Sequence, residues 1–283
     1  MEHTTSGAPA PREAVSLTSA PEVLLAVVGE YVAPAAGGVW QEMLVEAIRR
    51  FGHTAAAARQ ATARAVRDGA LVAHRSGRRS WLQVGESAGR MLRGAASMRD
   101  DAAGLRTGLW DVYLIRSVDG GRPTSMHPRT QRLLSGLGRL GPDLWIAPNG
   151  PGSALLQHAL AEDPELTVIA LRSEIVHPSG AEVVSTAWDL DAVRSGYSEL
   201  LDDYADLDPR TDLDCFIAWT DLQSRWRRCI LLDPGLPDGA LPAGWPRDDA
   251  ALLVAERRMA WRGRAVEFFE RLGAELPSAP EIV

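Results

Sequence analysis

The sequence contains no lysine: all 30 of its basic residues are arginine. Its two cysteines, Cys215 and Cys229, lie 14 residues apart in one predicted helix, about 21 Å along the axis, which is too far for a disulfide between them. No apolar run approaches the roughly 20 residues of a membrane span. Residues 1–12 lack the features of a secretion signal, and we interpret residues 1–15 as a disordered tail. These absences predict a cytoplasmic protein without membrane contact.

Charge is distributed unevenly along the chain. Residues 16–100 carry 11 Arg against 7 Asp and Glu, about +4, so that a net charge of −7 leaves about −11 for the rest. A basic N-terminal module beside an acidic remainder favours phosphate contacts that are confined to that module. The absence of lysine is typical of a protein from a GC-rich genome. The alternative explanation is that function requires the planar guanidinium group of Arg.

Residues 16–100 show the pattern of three helices followed by a hairpin. The helices are predicted at Leu17–Val32, at Gln41–Phe51 and from Thr54 to Asp68, with a linking helix at Glu86–Arg99. Two short strands surround a turn at Gly77, and Val39-Trp40 is a further short strand. This order predicts a winged helix-turn-helix domain over residues 16–100.

The middle and the end of the chain predict two further domains. Residues 105–180 alternate strands and helices, with one strand unassigned, which predicts a ferredoxin-like α/β sandwich. Its elements are predicted at Leu109–Val118, His127–Leu137, Leu144–Ala147, Gly152–Ala161 and Leu166–Leu171. Residues 181–275 carry helical apolar stripes around a Pro-rich turn region and predict a helical C-terminal domain. The fold class is therefore predicted to be α+β.

The third helix and the hairpin carry side chains suited to DNA. Small residues let a helix approach another surface closely, and Arg, Gln and Thr donate hydrogen bonds to base edges and phosphates. The candidates on the helix are Arg59, Gln60, Thr62 and Arg64. The hairpin offers contacts to the backbone or the minor groove from Arg75, Arg78 and Arg79. The alternative is an Ala-rich structural helix with a solvated Arg face.

Motifs for catalysis, metals and cofactors are missing or incomplete. The sequence has no Gly-x-Ser-x-Gly elbow, P-loop or His-Glu-x-x-His. The aspartates between Asp206 and Asp214 lack the Gly and Glu of a calcium loop. Gly136 to Gly141 matches the dinucleotide fingerprint by letter, but a helix is predicted before it and a strand after it, which reverses the required order. We therefore expect no catalytic residue, no metal and no cofactor.

Three stretches resemble the PaaX family of transcriptional repressors. They are Arg59–Val84, Leu137–Pro148, and Arg227–Pro237 followed by Leu241–Pro246. The last is similar to the family's Asp-Pro-x-Leu-Pro … Leu-Pro-x-x-Trp signature, and the resemblance spans roughly residues 17–272. It implies a non-enzymatic homodimer, paired through the ferredoxin-like domain, that binds a palindromic operator in double-stranded DNA. It also implies release by a small acidic effector such as an acyl-CoA or an aryl acid.

The effector site is predicted from aromatic and basic residues outside the winged helix. Tryptophans can line a pocket, and guanidinium groups can hold phosphates or a carboxylate. The candidates are Trp110, Arg116, Trp188, Trp219, Arg225 and Trp226. Core tryptophans and ordinary salt bridges are the alternative for each of them. The small Ala58, Thr62 and Ala65 also leave open an enzyme or ligand-binding protein on the same scaffold, without specific DNA binding.

Overall fold

The protein was analysed as a computed structural model, which describes residues 17–34, 37–86, 88–89, 109–118, 134, 137–148, 157, 160, 164–177, 179–236 and 241–280. These residues form seven α-helices, one π-helical turn and two antiparallel sheets. The predicted α+β class is therefore confirmed. None of the described helices is both long enough and apolar enough to cross a membrane.

The elements follow one another in an order close to the predicted one. The first group is α1 (Ala20–Val27), a π-helical turn (Val28–Val32), β1 (Gly38–Trp40), α2 (Gln41–Arg50), α3 (Ala55–Arg67), β2 (Leu71–Ser76) and β3 (Arg79–Val84). Four strands follow, β4 (Leu109–Ser117), β5 (Gly138–Arg139), β6 (Leu144–Pro148) and β7 (Leu166–Glu174). The last group is α4 (Gly180–Ala187), α5 (Leu190–Tyr204), α6 (Asp212–Leu232) and α7 (Arg247–Arg271).

Several of the sequence predictions fall outside the described residues. They are the tail at residues 1–15 and most of the helices predicted at Glu86–Arg99, His127–Leu137 and Gly152–Ala161. The proposed domain boundaries stay predictions. The chain itself divides into two compact units, unit 1 with Met1–Arg93, Ser198–Trp226 and Asp248–Val283, and unit 2 with Gly94–Tyr197 and Arg227–Arg247.

The helices of unit 1 begin and end at residues suited to those positions. Ser19 caps α1 in a reciprocal capping box with Glu22. At the start of α3, the Thr54 hydroxyl accepts a hydrogen bond of 3.1 Å from the amide of Ala57. After α3, Gly69 has a φ of 70°, a left-handed conformation that glycine adopts without strain. The hairpin then pairs β2 with β3, and β1 lies on the other side of β3.

An aromatic cluster joins the N-terminal helices to α6 and α7 within unit 1. The Tyr31 ring lies 5.3 Å from the Phe216 ring and 4.9 Å from the Phe269 ring, centroid to centroid. Phe51 contacts Phe216 edge-on at 5.8 Å. The N-terminal helices therefore share one hydrophobic core with the first half of α6 and the second half of α7.

Buried polar side chains reinforce this junction. The Trp219 indole donates a hydrogen bond of 3.0 Å to Glu30, which also lies 3.5 Å from the guanidinium group of Arg262. The Asp221 carboxylate accepts hydrogen bonds from the Tyr204 hydroxyl and the Leu17 amide. Because a buried polar group without partners costs free energy, these bonds allow the carboxylates to lie inside the unit.

Unit 2 is built on a four-stranded sheet with the strand order β5-β6-β4-β7. β5 is the strand that the sequence left unassigned. Leu134 and Leu160 cover one face of the sheet, where they cluster with Tyr113, Ile115 and Ala147. The opposite face is partly covered by a second cluster, formed by Trp110, Ile146, Val183, Val184, Trp188, Leu236 and Leu241.

Gly138 is one of the glycines that match the dinucleotide fingerprint, and the packing of unit 2 explains it. It lies in β5, and a Cβ atom at this position would be 2.7 Å from the Trp188 ring and from Cβ of Ala187. The glycine lets the end of α4 approach the sheet. The order around it is strand, turn and strand, whereas a nucleotide-binding turn of this kind lies between a strand and a helix.

We expect Gly138→Ala to lower the free energy of unfolding by about 1–3 kcal/mol, because the added methyl group overpacks the contact with Trp188. Denaturant unfolding followed by tryptophan fluorescence measures this loss. Gly180→Ala is the matched control, since a Cβ atom there meets nothing within 4 Å. Equal stability of the two variants would contradict the assigned role of Gly138.

Candidate functional site

The exposed residues of α3 form one continuous face. They recur at spacings of three and four and are Ala56, Arg59, Gln60, Ala63, Arg64 and Arg67. In an α-helix this spacing places side chains above one another on the same side. The face therefore presents three guanidinium groups and one amide, separated by methyl groups that leave the helix backbone accessible.

Thr62 does not belong to this face. It is 1% exposed, and its hydroxyl donates a hydrogen bond of 2.8 Å to the carbonyl of Ala58. Together with the buried Ala58 and Ala61, it lies on the side of α3 that packs against α1 and α2. The small side chains thus allow close packing inside unit 1, and we do not retain Thr62 as a candidate contact.

Arg67 is an exposed residue of this face that the sequence analysis missed. It lies eight residues after Arg59 and three after Arg64, which is the spacing of the other members. The helical period alone was sufficient to find it, once Thr54 fixed the start of the helix. Its position in the last turn also suits a cation, because the C-terminal end of a helix carries partial negative charge.

The hairpin adds basic residues next to α3 in the sequence. Arg75 and Arg78 are exposed, and the turn between the strands contains Gly77, with a φ of 59°. Arg79 is partly buried, and its Nε lies 3.6 Å from a carboxylate oxygen of Glu42 on α2. This ion pair connects the hairpin to the helix that precedes α3.

Most of these guanidinium groups have no competing acidic partner among the described residues. Arg64 lies 3.6 Å from Asp68, and both side chains are more than half exposed, so the pair contributes little. No ion pair with another described residue involves Arg59, Arg67, Arg75 or Arg78. The basic surface of unit 1 is therefore available to an anionic partner.

The predicted effector residues are divided between the two units. Trp110 and Trp188 belong to the core of unit 2, with ring centroids 6.2 Å apart. Arg116 lies on the same sheet and pairs with Asp143 at 2.9 Å. The remaining candidates belong to unit 1 and are Trp219, Arg225 and Trp226.

The unit 1 candidates are held by polar or core contacts. Trp219 is 1% exposed and donates to Glu30. Arg225 is paired with Asp203 and lies 3.4 Å from Asp221. Each contact has the form expected for core tryptophans and ordinary salt bridges.

A buried carboxylate organises the Pro-rich turn of unit 2. The carboxylate of Asp233 accepts hydrogen bonds from the Tyr197 hydroxyl at 2.9 Å, the Trp245 indole at 3.3 Å and the Gly235 amide at 2.8 Å. Arg247 donates to both oxygens, at 2.8 and 2.5 Å. Gly235 and Trp245 of the Pro-rich turn therefore both meet the carboxylate of Asp233.

The charge of Asp233 is stabilised in this setting. Burial alone would raise the pKa of Asp233, but the hydrogen bonds and charge of Arg247 outweigh burial and hold it below its ordinary value. Burial and the negative charge of Asp233 raise the pKa of Tyr197, so the tyrosine stays protonated and donates. The hydrogen bonds and the ion pair of this site therefore fix the turn.

Metal-binding geometry is absent from the part of the chain that the structure describes. No group of three or more His, Cys, Asp or Glu side chains is placed to hold an ion. Cys215 and Cys229 are both buried in α6, and no disulfide joins them. Burial raises the pKa of the Cys215 thiol, which disfavours the nucleophilic thiolate.

Two family profiles match the chain. The profile described as PaaX-like protein matches residues 19–88, and the profile described as PaaX-like protein C-terminal domain matches residues 188–271. The chain belongs to the PaaX family. Members of the PaaX family are generally transcriptional regulators without enzymatic activity. The second match contains Asp233, Trp245 and Arg247, so the family signature coincides with the carboxylate cluster.

One solved structure has a similar fold. It is an uncharacterized protein of Mycobacterium tuberculosis, Rv0674, with a TM-score of 0.50 and 23% sequence identity. The similarity covers 90% of this chain and 100% of that chain. No curated protein matches the chain.

We expect Asp233→Asn to destabilise the protein by about 3 kcal/mol at pH 7, because it removes the buried countercharge of the partly buried Arg247. The pKa of Asp233 is depressed in the folded state, so its contribution is present above the unfolded value near 4 and is lost as the pH falls through the folded value. The difference between wild type and variant should therefore shrink below about pH 4.

Urea unfolding at pH 7 and at successively lower pH measures this difference. Asp208→Asn is the control, since Asp208 is 70% exposed and pairs with an exposed Arg210. A pH-independent difference for Asp233→Asn would show that the ion pair is not the source of the stability.

Proposed function

We propose that this chain is a homodimeric repressor that binds a palindromic operator through α3 and the β2–β3 wing and is released by a small acidic ligand. The observation that carries the proposal is the exposed face of α3. Three arginines and a glutamine lie on one side of a helix whose other side is packed against α1 and α2. Arg and Gln are the side chains that form bidentate hydrogen bonds with guanine and adenine in the major groove.

The surrounding elements support a winged helix-turn-helix. Three helices precede an antiparallel hairpin, and β1 completes the small sheet of that architecture. In this arrangement α3 is the recognition helix. Arg59, Gln60 and Arg64 contact bases or fix the register on the duplex, and Arg67 adds a phosphate contact.

The wing supplies contacts that do not depend on sequence. Arg75 and Arg78 are exposed, and Arg79 is held near α2 by its ion pair with Glu42. Such residues bind the phosphate backbone or enter the minor groove. The basic charge of residues 16–100 favours DNA, and the acidic remainder keeps the phosphate away from the rest of the molecule.

The sheet of unit 2 supports the predicted ferredoxin-like domain and dimer. In chain order its strands lie 2-3-1-4, all antiparallel, which is the order of a β-α-β-β-α-β sandwich. Ile169 and Leu171 lie on the sheet face opposite Tyr113. They are 49% and 58% exposed and neighbour Leu114 and Val112 of β4. We assign this aliphatic surface to pairing with a second copy, since contiguous apolar patches on soluble proteins mark interaction sites.

Release by a ligand requires that the ligand prefer one dimer geometry over another. We propose an acyl-CoA or an aryl acid as this ligand, which the family resemblance implies and no contact of the described residues specifies. The candidates for contacting this ligand are the side chains named from the sequence, Trp110, Arg116, Trp188, Trp219, Arg225 and Trp226. Each of them already has a core or ion-pair partner.

We expect Arg67→Ala to weaken binding to the promoters of the chain's own gene and of neighbouring genes. The affinity should fall similarly for specific and unrelated DNA, and the slope of log affinity against log salt should decrease by about 1. Arg59→Ala should instead cost about 1–3 kcal/mol on the specific site and relax the base preference at one position. Fluorescence anisotropy at several salt concentrations measures both effects.

Arg210→Ala is the matched control, because Arg210 is 84% exposed in unit 1 and lies outside α3 and the wing. It should change neither the affinity nor the slope. Weak wild-type binding that is indifferent to sequence and vanishes at physiological salt would overturn the proposal. That result would favour an enzyme or ligand-binding protein on the same scaffold.

A further inference from the structure

The chain continues past α7 in a compact series of turns. Backbone hydrogen bonds run from the amides of Leu272, Gly273 and Ala274 to the carbonyls of the last helical residues, and from Leu276 to Gly273, at 2.9–3.2 Å. We call residues 272–280 the C-terminal segment. These bonds fix its path relative to α7, so it leaves the helix in a defined direction.

The C-terminal segment contacts the base of the wing. The carbonyl of Pro277 accepts a hydrogen bond of 2.7 Å from the Trp40 indole, across 237 residues of sequence. A Cβ atom at Gly273 would lie 2.8 Å from Sδ of Met43, so the segment backbone lies directly against α2. Trp40 is only 3% exposed, and its indole therefore gains this partner away from water.

Trp40 in turn contacts the strand that carries the wing. It is paired with Trp81 of β3, and the two rings meet edge to face with centroids 5.2 Å apart. Two register positions along β1, Gly38 has no space for a side chain beside the Trp81 ring. Two residues before Trp81, Arg79 forms its ion pair with Glu42. The wing strand is thus attached to β1 and α2 at the site where the C-terminal segment lies.

We propose that the C-terminal segment is a positioning element for DNA binding, in which the Pro277 carbonyl fixes Trp40, and Trp40 fixes the wing through Trp81. The described contacts of the segment with the wing region are those with Trp40 and Met43, so its effect on the wing passes through these residues. This inference rests on the proposed function, since it assigns the wing to DNA. The claim that the segment holds the wing in place does not depend on DNA and can be tested without it.

The first test removes the indole donor while keeping an aromatic ring. Trp40→Phe is compared with wild type by hydrogen exchange of the β2 and β3 amides in the absence of DNA. We expect exchange in residues 71–84 to become at least several-fold faster, while the amides of α5 and α6 are unchanged. Met259→Ala, at an 88% exposed position of α7, is the control and should leave the wing unchanged.

The second test displaces the segment and then restores its space. Gly273→Val forces a larger side chain against Met43 and should accelerate wing exchange as Trp40→Phe does. Combining it with Met43→Ala makes room for the valine and should restore wild-type exchange. If neither single variant changes wing exchange, or if the double variant fails to rescue it, the positioning role is wrong.

The DNA measurement separates this inference from the proposed function. Trp40→Phe should reduce the salt slope of DNA binding by about the same amount as Arg78→Ala. The variant with both substitutions should lose no more DNA affinity than Arg78→Ala alone. A role through the wing would be contradicted if Trp40→Phe left the salt slope unchanged and its loss of DNA affinity added to that of Arg78→Ala. If wild type does not bind specifically but wing exchange responds to Trp40→Phe, the proposed function fails and the structural role of the segment stands.

Discussion

The structure of unit 1 depends on the contact of Tyr31 with Phe216 and Phe269. These rings join helices from the two ends of the chain, and aromatic pairs of this kind add about 0.5–1.5 kcal/mol each beyond the area they bury. The buried bonds of Glu30 and Asp221 lie beside them and give the junction a fixed geometry. The basic face of α3 is therefore presented by a body that includes α6 and α7, and its orientation depends on that whole core.

Unit 2 is organised around a single charge. Asp233 collects the hydroxyl, indole, amide and guanidinium donors of the Pro-rich turn, and the apolar residues of that turn cover the sheet. The third stretch of family resemblance therefore has a structural explanation, because its residues hold the turn against the sheet. The first stretch, Arg59–Val84, contains the residues proposed to contact DNA and lies in unit 1.

Local sequence patterns predicted the first three helices, the β2–β3 hairpin and three of the four central strands, because capping residues, apolar spacing and turn glycines act within a few residues. They also predicted the exposed arginines of α3 and the hairpin, with the exception of Arg67. Contacts between distant residues could not be predicted, since only the tertiary structure shows that Phe216 contacts Tyr31. The two-residue strand β5 was too short for a periodic signal. Likewise, no local pattern indicates that Pro277 meets Trp40.

The most direct test of the account is photo-crosslinking of the full chain to promoter DNA that carries photoactivatable bases, with the linked peptides identified by mass spectrometry. If α3 is the recognition helix, crosslinks should concentrate in residues 55–79 and should be lost when unlabelled promoter DNA competes. Crosslinks that map to the sheet of unit 2, or that form equally well with a scrambled duplex, would contradict recognition through the exposed face of α3.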